Sequence, residues 1–282
     1  MKMTKIYLGI LFFFSISAYS QEDLLQSIDD SIVVKKETPP AFKALQIVTA
    51  QSTKLPAKSE WYMVVAHRFG DVSSGVKDFF GLDNASTKLG LIYGITDNIA
   101  LSLSRETNMK TFEASTKYKL LRQNESFPVD IVGYNVIAVN TDLSRDNFAH
   151  LKFSDRLSYL SQVLISRSFS EKFSLQLMPS YVHKNLYDPN IEGNHQVLTG
   201  FGGRYKISKR ISLNAEYFAR FDSHNFYKNP LSIGMDIETG GHVFQLLFSN
   251  SQLNSDIGYL TNASGNWRKG NIFFGFNLYR VF

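Results

Sequence analysis

Charged residues recur on one face of segments that otherwise alternate polar with apolar side chains, and in that arrangement their chemistry is the lining of a passage. Eight are basic: Arg68, Lys88, Lys117, Lys119, Arg156, Arg204, Lys206 and Arg220. Six are acidic: Glu60, Glu106, Glu113, Glu216, Asp236 and Glu238. Nearly balanced charges facing one interior either pair with one another, because a buried charge needs a partner, or present a narrow polar path to a small polar or anionic solute. The residues read as ligand- or lumen-lining are Arg68, Glu113, Lys117, Arg204, Glu216, Arg220, Asp236 and Glu238. Glu216 lies mid-segment, one segment after Arg204, and is expected to pair with it or with another interior base.

Other chemistries fit less well. The chain has no cysteine, so thiolate ligands, disulfides and cysteine nucleophiles are absent. Six histidines are present, five of them (His67, His150, His183, His195 and His224) near one set of segment ends and His242 near the other. No two share a short ligand-like spacing along one segment, so no metal site and no cofactor is expected. A barrel hydrolase resembling the outer-membrane phospholipases would carry His-x-Ser; the residues two places after the histidines are Phe69, Lys152, Asn185, Val197, Phe226 and Phe244. No catalytic residue is assigned, and the chain is read as not an enzyme. Gly200-Phe201-Gly202-Gly203 precedes no helix and is no dinucleotide loop. It reads as a bend, or as a place where interior contents approach the wall.

The elements that must position these residues are β-strands. The chain ends on Phe282, with Phe274, Phe276 and Leu278 at alternate positions before it. Short polar turns between apolar brackets recur at Ile95–Ile99, Phe169–Phe173 and Ile207–Ile211, each a tight hairpin signature. With these turns the sequence divides into twelve strands: 59–69, 85–94, 99–106, 110–121, 128–140, 155–168, 173–183, 195–206, 211–221, 230–238, 242–250 and 271–282. Period two sets Trp61, Leu89, Leu101, Leu175, Phe201, Leu213 and Phe248 opposite the charged face. In strand five Ile131 and Tyr134 fall on opposite faces, and its orientation stays open. Connections after strands 2, 4, 6, 8 and 10 are short, whereas those after 1, 5, 7, 9 and 11 are longer and richer in Asn, Asp, Ser and Gly. That sorting is the pattern of an outer-membrane barrel with periplasmic turns and external loops, and 251–269 is expected among the external loops. The Asp78-Phe79-Phe80-Gly81-Leu82 stretch is an apolar knot expected to pack against the barrel mouth or its interior.

Lys2 and Lys5, the apolar run Ile6–Ile16 and Ala18-Tyr19-Ser20 read as a signal peptide over 1–20. Residues 21–57 are expected as a periplasmic extension or a plug, and 58–282 as the barrel. Beyond the signal no apolar run reaches the ~18 residues of a membrane helix. The formal charge of +5 becomes +3 without Lys2 and Lys5. That excess, with no basic run, gives no argument for nucleic acid.

The stretches His67-Arg68-Phe69-Gly70-Asp71, Phe80-Gly81-Leu82-Asp83, Tyr118-Lys119-Leu120-Leu121, Leu177-Met178-Pro179-Ser180-Tyr181-Val182-His183, Asn229-Pro230-Leu231-Ser232 and Glu238-Thr239-Gly240-Gly241-His242-Val243-Phe244-Gln245 together resemble one family. It is a family of membrane-bound β-barrels of unknown function, of Gram-negative, Bacteroidota type, and the resemblance runs from about Phe42 to Phe282. It implies fold and location and no activity.

The reading is therefore an all-β chain, a transmembrane antiparallel up-and-down barrel of about twelve strands with a short N-terminal periplasmic or plug segment, in the cell outer membrane. Its expected role is a narrow or gated conduit, or a binding scaffold, for a small polar or anionic ligand. The alternatives are a structural or partner-binding barrel with a filled lumen and an enzyme modifying outer-membrane lipid. Its expected partners are outer-membrane lipid, the barrel-assembly machinery during biogenesis and a small polar solute, with no nucleic acid.

Overall fold

The computed structural model describes residues 40–221, 224 and 226–282. The expected signal peptide, the first part of the expected extension, Asp222, Ser223 and Asn225 lie outside the described residues. The strands are β1 (Trp61–Asp71), β2 (Ala85–Thr96), β3 (Ile99–Glu106), β4 (Thr111–Leu121), β5 (Asp130–Asn140), β6 (Leu157–Ser168), β7 (Phe173–Lys184), β8 (His195–Lys206), β9 (Ile211–Arg220), β10 (Leu231–Thr239), β11 (His242–Ser249) and β12 (Phe273–Val281). Each pairs antiparallel with its chain neighbours, and β1 closes on β12. Val65 stands opposite Leu278 on one side and Leu89 on the other. Every expected strand is present, with ends within two residues of those expected.

Alternation drives this architecture. A closed sheet leaves no unpaired edge, and period two divides every strand between outside and inside. In β7, positions from Phe173 to Val182 alternate exposed and buried without a break. The outward set is apolar around the wall, with Leu89, Leu103, Phe201, Leu213 and Ile233 all exposed. Gly241 takes φ +86 in the two-residue turn between β10 and β11, a backbone conformation that suits glycine.

The interior is not uniform. On β5 to β9 polar inward residues are interspersed with an apolar set: Val132, Tyr134, Val136, Leu160, Leu164, Met178, Val182, Leu198 and Phe218 are all buried in one cluster. This settles β5, whose Tyr134 face is inward and whose Ile131 and Ile137 face outward. The strand is apolar on both faces because one face meets the apolar exterior and the other meets packed protein. The packed protein is two segments folded into the barrel. One, residues 41–56, leads into β1; the other, residues 250–272, joins β11 to β12 and holds the short helix α1 (Asp256–Thr261), every residue of which is buried.

Three expectations are corrected. Segment 251–269 is not an exposed loop: Ser251, Asn254, Ser255 and Asp256 are buried, because carboxylates on the wall satisfy its backbone. Of the two placements expected for the knot at 78–82, the interior is not taken: Phe79, Phe80 and Leu82 are exposed, with positive φ at Phe79, Phe80 and Gly81. Length does not sort the connections cleanly, since 107–110, at the end away from the start of β1, is shorter than 122–129 at the end where β1 begins.

Candidate functional site

The site is the lumen, and its centre is the tip of segment 41–56. Gln46 and Gln51 form an antiparallel bridge, and Ile47 N donates to Ala50 O at 2.8 Å, closing a tight turn. The turn leaves three consecutive N–H groups pointing to one side. Val48 N, Thr49 N and Ala50 N donate to the Glu216 carboxylate at 3.0, 2.8 and 3.0 Å. Successive N–H groups converging on an anion form a nest, here with the carboxylate supplied by β9. Neutral amides on the wall complete the grip. Asn277 Nδ2 donates to Val48 O at 2.8 Å, and Gln245 Nε2 to Ile47 O at 3.1 Å. Gln176 accepts from Thr53 N and donates to Gln51 O. Lys117 Nζ donates to the carbonyls of Leu45, Ser52 and Lys54 at 3.2, 3.0 and 3.3 Å.

Close approach requires a small wall. Gly202 faces inward on β8, and a Cβ there would lie 2.4 Å from Ile47 Cδ1. The glycine-rich stretch is thus a place where interior contents meet the wall.

Segment 250–272 is held by acids. Glu106 accepts from Asn254 N and from Ser255 N at 3.1 Å, and Glu113 accepts from Asp256 N at 2.8 Å. Lys88 Nζ lies between Glu113, at 2.8 Å, and Asp256, at 3.1 Å. Tyr134 OH donates to the same Asp256 carboxylate. The two segments meet where Gln51 Nε2 donates to Asp256 Oδ1 at 2.8 Å. Between them and β1–β4 a cavity of about 50 Å³ remains, lined in part by Arg68, Lys88, Lys117 and Asp256. That volume holds a few waters.

All eight residues read as lining the lumen face it, and six engage the inserted segments. Arg68 donates to Thr49 Oγ1 and to Asn277 Oδ1; Arg220 donates to Thr261 O at 2.7 Å; Glu238 pairs with Lys43 at 2.6 Å; Glu113, Lys117 and Glu216 act as described. Asp236 accepts from Gln245 Nε2 at 2.7 Å. The expected Glu216–Arg204 pair is not formed. Glu216 is taken by the turn, and Arg204, opposite Ser174 and Asn214 in register, keeps Nε and Nη1 buried without a hydrogen-bond partner among the described residues. Among the described residues Lys88–Glu113 is the one ion pair between two strands of the wall. The interior charges mostly bind inserted backbone in place of one another. Gln176, Gln245 and Asn277 were not picked out from the sequence, because a neutral amide in an alternating strand carries no charge signal.

Among the described residues no three His, Cys, Asp or Glu side chains converge as metal ligands. His224 Nε2 lies 3.1 Å from Pro189 O.

The chain belongs to the family of membrane bound beta barrel domains DUF5777, whose model matches residues 42–282. No curated protein matches it. Among solved structures it is similar to the KdgM porin at 9% identity, with a TM-score of 0.51, covering 78% of this chain and 99% of that one. It also matches the COG4313 outer membrane channel from Pseudomonas putida F1 at 14% identity and a TM-score of 0.45, covering 81% and 97%. At 9% identity the likeness to the KdgM porin is one of fold. The protein is a membrane-bound, closed, twelve-stranded antiparallel barrel.

Proposed function

We propose that the protein is an outer-membrane conduit for a small polar or anionic solute that rests closed, with residues 41–56 as its plug and residues 250–272 as an inner lid. The end where β1 begins and β12 finishes is then periplasmic. One observation carries this reading: the plug's backbone is held by polar wall side chains, with Glu216 binding three of its N–H groups. Those side chains remain when the plug leaves. Arg68, Lys117, Glu216, Gln245 and Asn277 would then form a polar stripe that water can wet, so departure leaves a passage lined for a hydrophilic solute. A porin of the same fold is consistent with that role.

A second reading, a permanently filled scaffold, is favoured by the apolar cluster in which Ile47 and Leu55 pack with Leu160, Leu164 and Met178. Burying each such side chain contributes about 1.5–3 kcal/mol, so spontaneous opening is rare. A reversible lock separates the two. A Cβ on Gly234 would lie 3.2 Å from Val48 Cγ1, close to the span of a disulfide. In the chain carrying Val48→Cys and Gly234→Cys, solute entry into liposomes is expected to rise on reduction and stop on oxidation. Equal entry in both states, or none in either, would reject plug control.

A further inference from the structure

His183 lies near the end of β7 and His195 begins β8, and the antiparallel register sets them directly opposite. Twelve positions separate them, so spacing along one strand does not reveal the pair. Both rings project from the outer face at the end away from the start of β1, beside the exposed Tyr181 and Val197. Their Nδ1 atoms are 3.2 Å apart, whereas the ring centroids are 4.6 Å apart, so the two nitrogens are near edges of the rings. Tyr181 OH is hydrogen-bonded to the same His195 nitrogen, and the Tyr159 ring stacks on His183 with centroids 6.1 Å apart. Stacking of Tyr159 on His183 and of Tyr181 on His195 holds the imidazoles in this orientation.

One ion bound to two imidazole nitrogens at about 2.0–2.1 Å separates them by roughly 3.3 Å at a tetrahedral angle and about 2.9 Å at a right angle. The observed 3.2 Å lies between these spans. An ion bound to both sits off the line joining the nitrogens and displaces the Tyr181 hydroxyl from His195 Nδ1, because each ring nitrogen has a single in-plane lone pair.

We propose that His183 and His195 form a two-ligand site for one divalent transition-metal ion, of the Zn2+, Ni2+ or Cu2+ class, on the outer rim of the barrel. Imidazole nitrogen selects these ions over Ca2+ and Mg2+, which take oxygen ligands. The remaining coordination positions are filled by water, so the ion exchanges. It clamps β7 to β8 at the base of connection 185–194. The next residue, Lys184, already ties that connection to the inner lid through Glu192 at 2.7 Å and Asn262 at 3.1 Å. Occupancy therefore steadies the external mouth.

The refolded mature barrel, in detergent, is titrated with Cu2+ and read by electron paramagnetic resonance, and with Zn2+ by calorimetry. The expected spectrum has hyperfine coupling to two nitrogens, reduced to one in His183→Ala and in His195→Ala. Zn2+ affinity is expected to fall at least tenfold in each single variant, to fall little further in the double variant, and to be unchanged in His150→Ala. Heat-modifiable mobility of each variant reports that the barrel has formed. Wild-type protein without two-nitrogen coupling overturns the proposal, as does saturable Zn2+ binding that survives both substitutions.

Discussion

Glu216 Oε1 lies 2.8 Å from Thr49 N, although the two residues are 167 positions apart in the chain. The period of β9 sends Ser212, Asn214, Glu216 and Phe218 inward, and the tight turn at 47–50 presents its N–H groups to the carboxylate. One wall side chain thereby binds three consecutive N–H groups of the turn.

Replacing Glu216 by leucine should loosen the plug and leave the barrel standing. Each hydrogen bond to a charged acceptor contributes about 1.5–3 kcal/mol, and three buried N–H groups would be left unsatisfied. The natural chain has no cysteine, so Val48→Cys supplies a single label site. Maleimide labelling of that thiol should be at least tenfold faster with Glu216→Leu than without it. Equal rates would show that the carboxylate does not hold the turn.

Lys88 is the cation between two carboxylates, one on the wall and one on the inner lid. Lys88→Met leaves Glu113 and Asp256 facing each other, and breaking such a buried pair costs on the order of 3–5 kcal/mol. Amide protection over 251–262 should fall, and Asp256→Asn in the same chain should restore part of it. A double-mutant cycle without coupling would remove this triad from the account.

The same lid should respond to acid in a defined direction. Burial alone would raise the Asp256 pKa, but the Lys88 ammonium and hydrogen bonds from Gln51, Lys88 and Tyr134 hold it below the ordinary aspartate value. A carboxyl lowered on folding stabilises the closed form above its unfolded pKa, and that stability is lost as pH falls through the lowered value. Protection of 251–262 attributable to Asp256 should persist through mild acid and decline only below about pH 4. Loss of that contribution between pH 5 and 6 would contradict the arrangement.

The twelve strands were legible because period two and turn residues are local signals, and the inward set followed from the same alternation. Partnership was not legible. Glu216 binds the backbone of a distant turn, and backbone carries no side-chain signature. The polar run 251–269 has the composition of a solvated loop, yet Glu106 and Glu113 replace solvent for Asn254, Ser255 and Asp256. His183 and His195 meet only through the β7–β8 register. Strand β5 is apolar on both faces because the lumen beside it is filled, so alternation alone leaves its orientation open.

Closure of the barrel itself rests partly on the last residue. Phe282 N donates to Trp61 O at 2.9 Å, and Arg280 lies over the Phe282 ring at 4.8 Å. Deleting Phe282 should lower the yield of the heat-modifiable form in the outer membrane without reducing export across the inner membrane. Normal yield from the truncated chain would count against a role for this residue at the seam.

The central claim is that residues 41–56 close a lumen otherwise able to conduct. Single-channel recording of the mature chain beside the same chain lacking residues 41–56 tests it most directly. Wild-type protein should give a closed baseline with rare, brief steps, and the deletion should give sustained steps. A deletion variant that folds to the heat-modifiable form and stays silent would contradict the account.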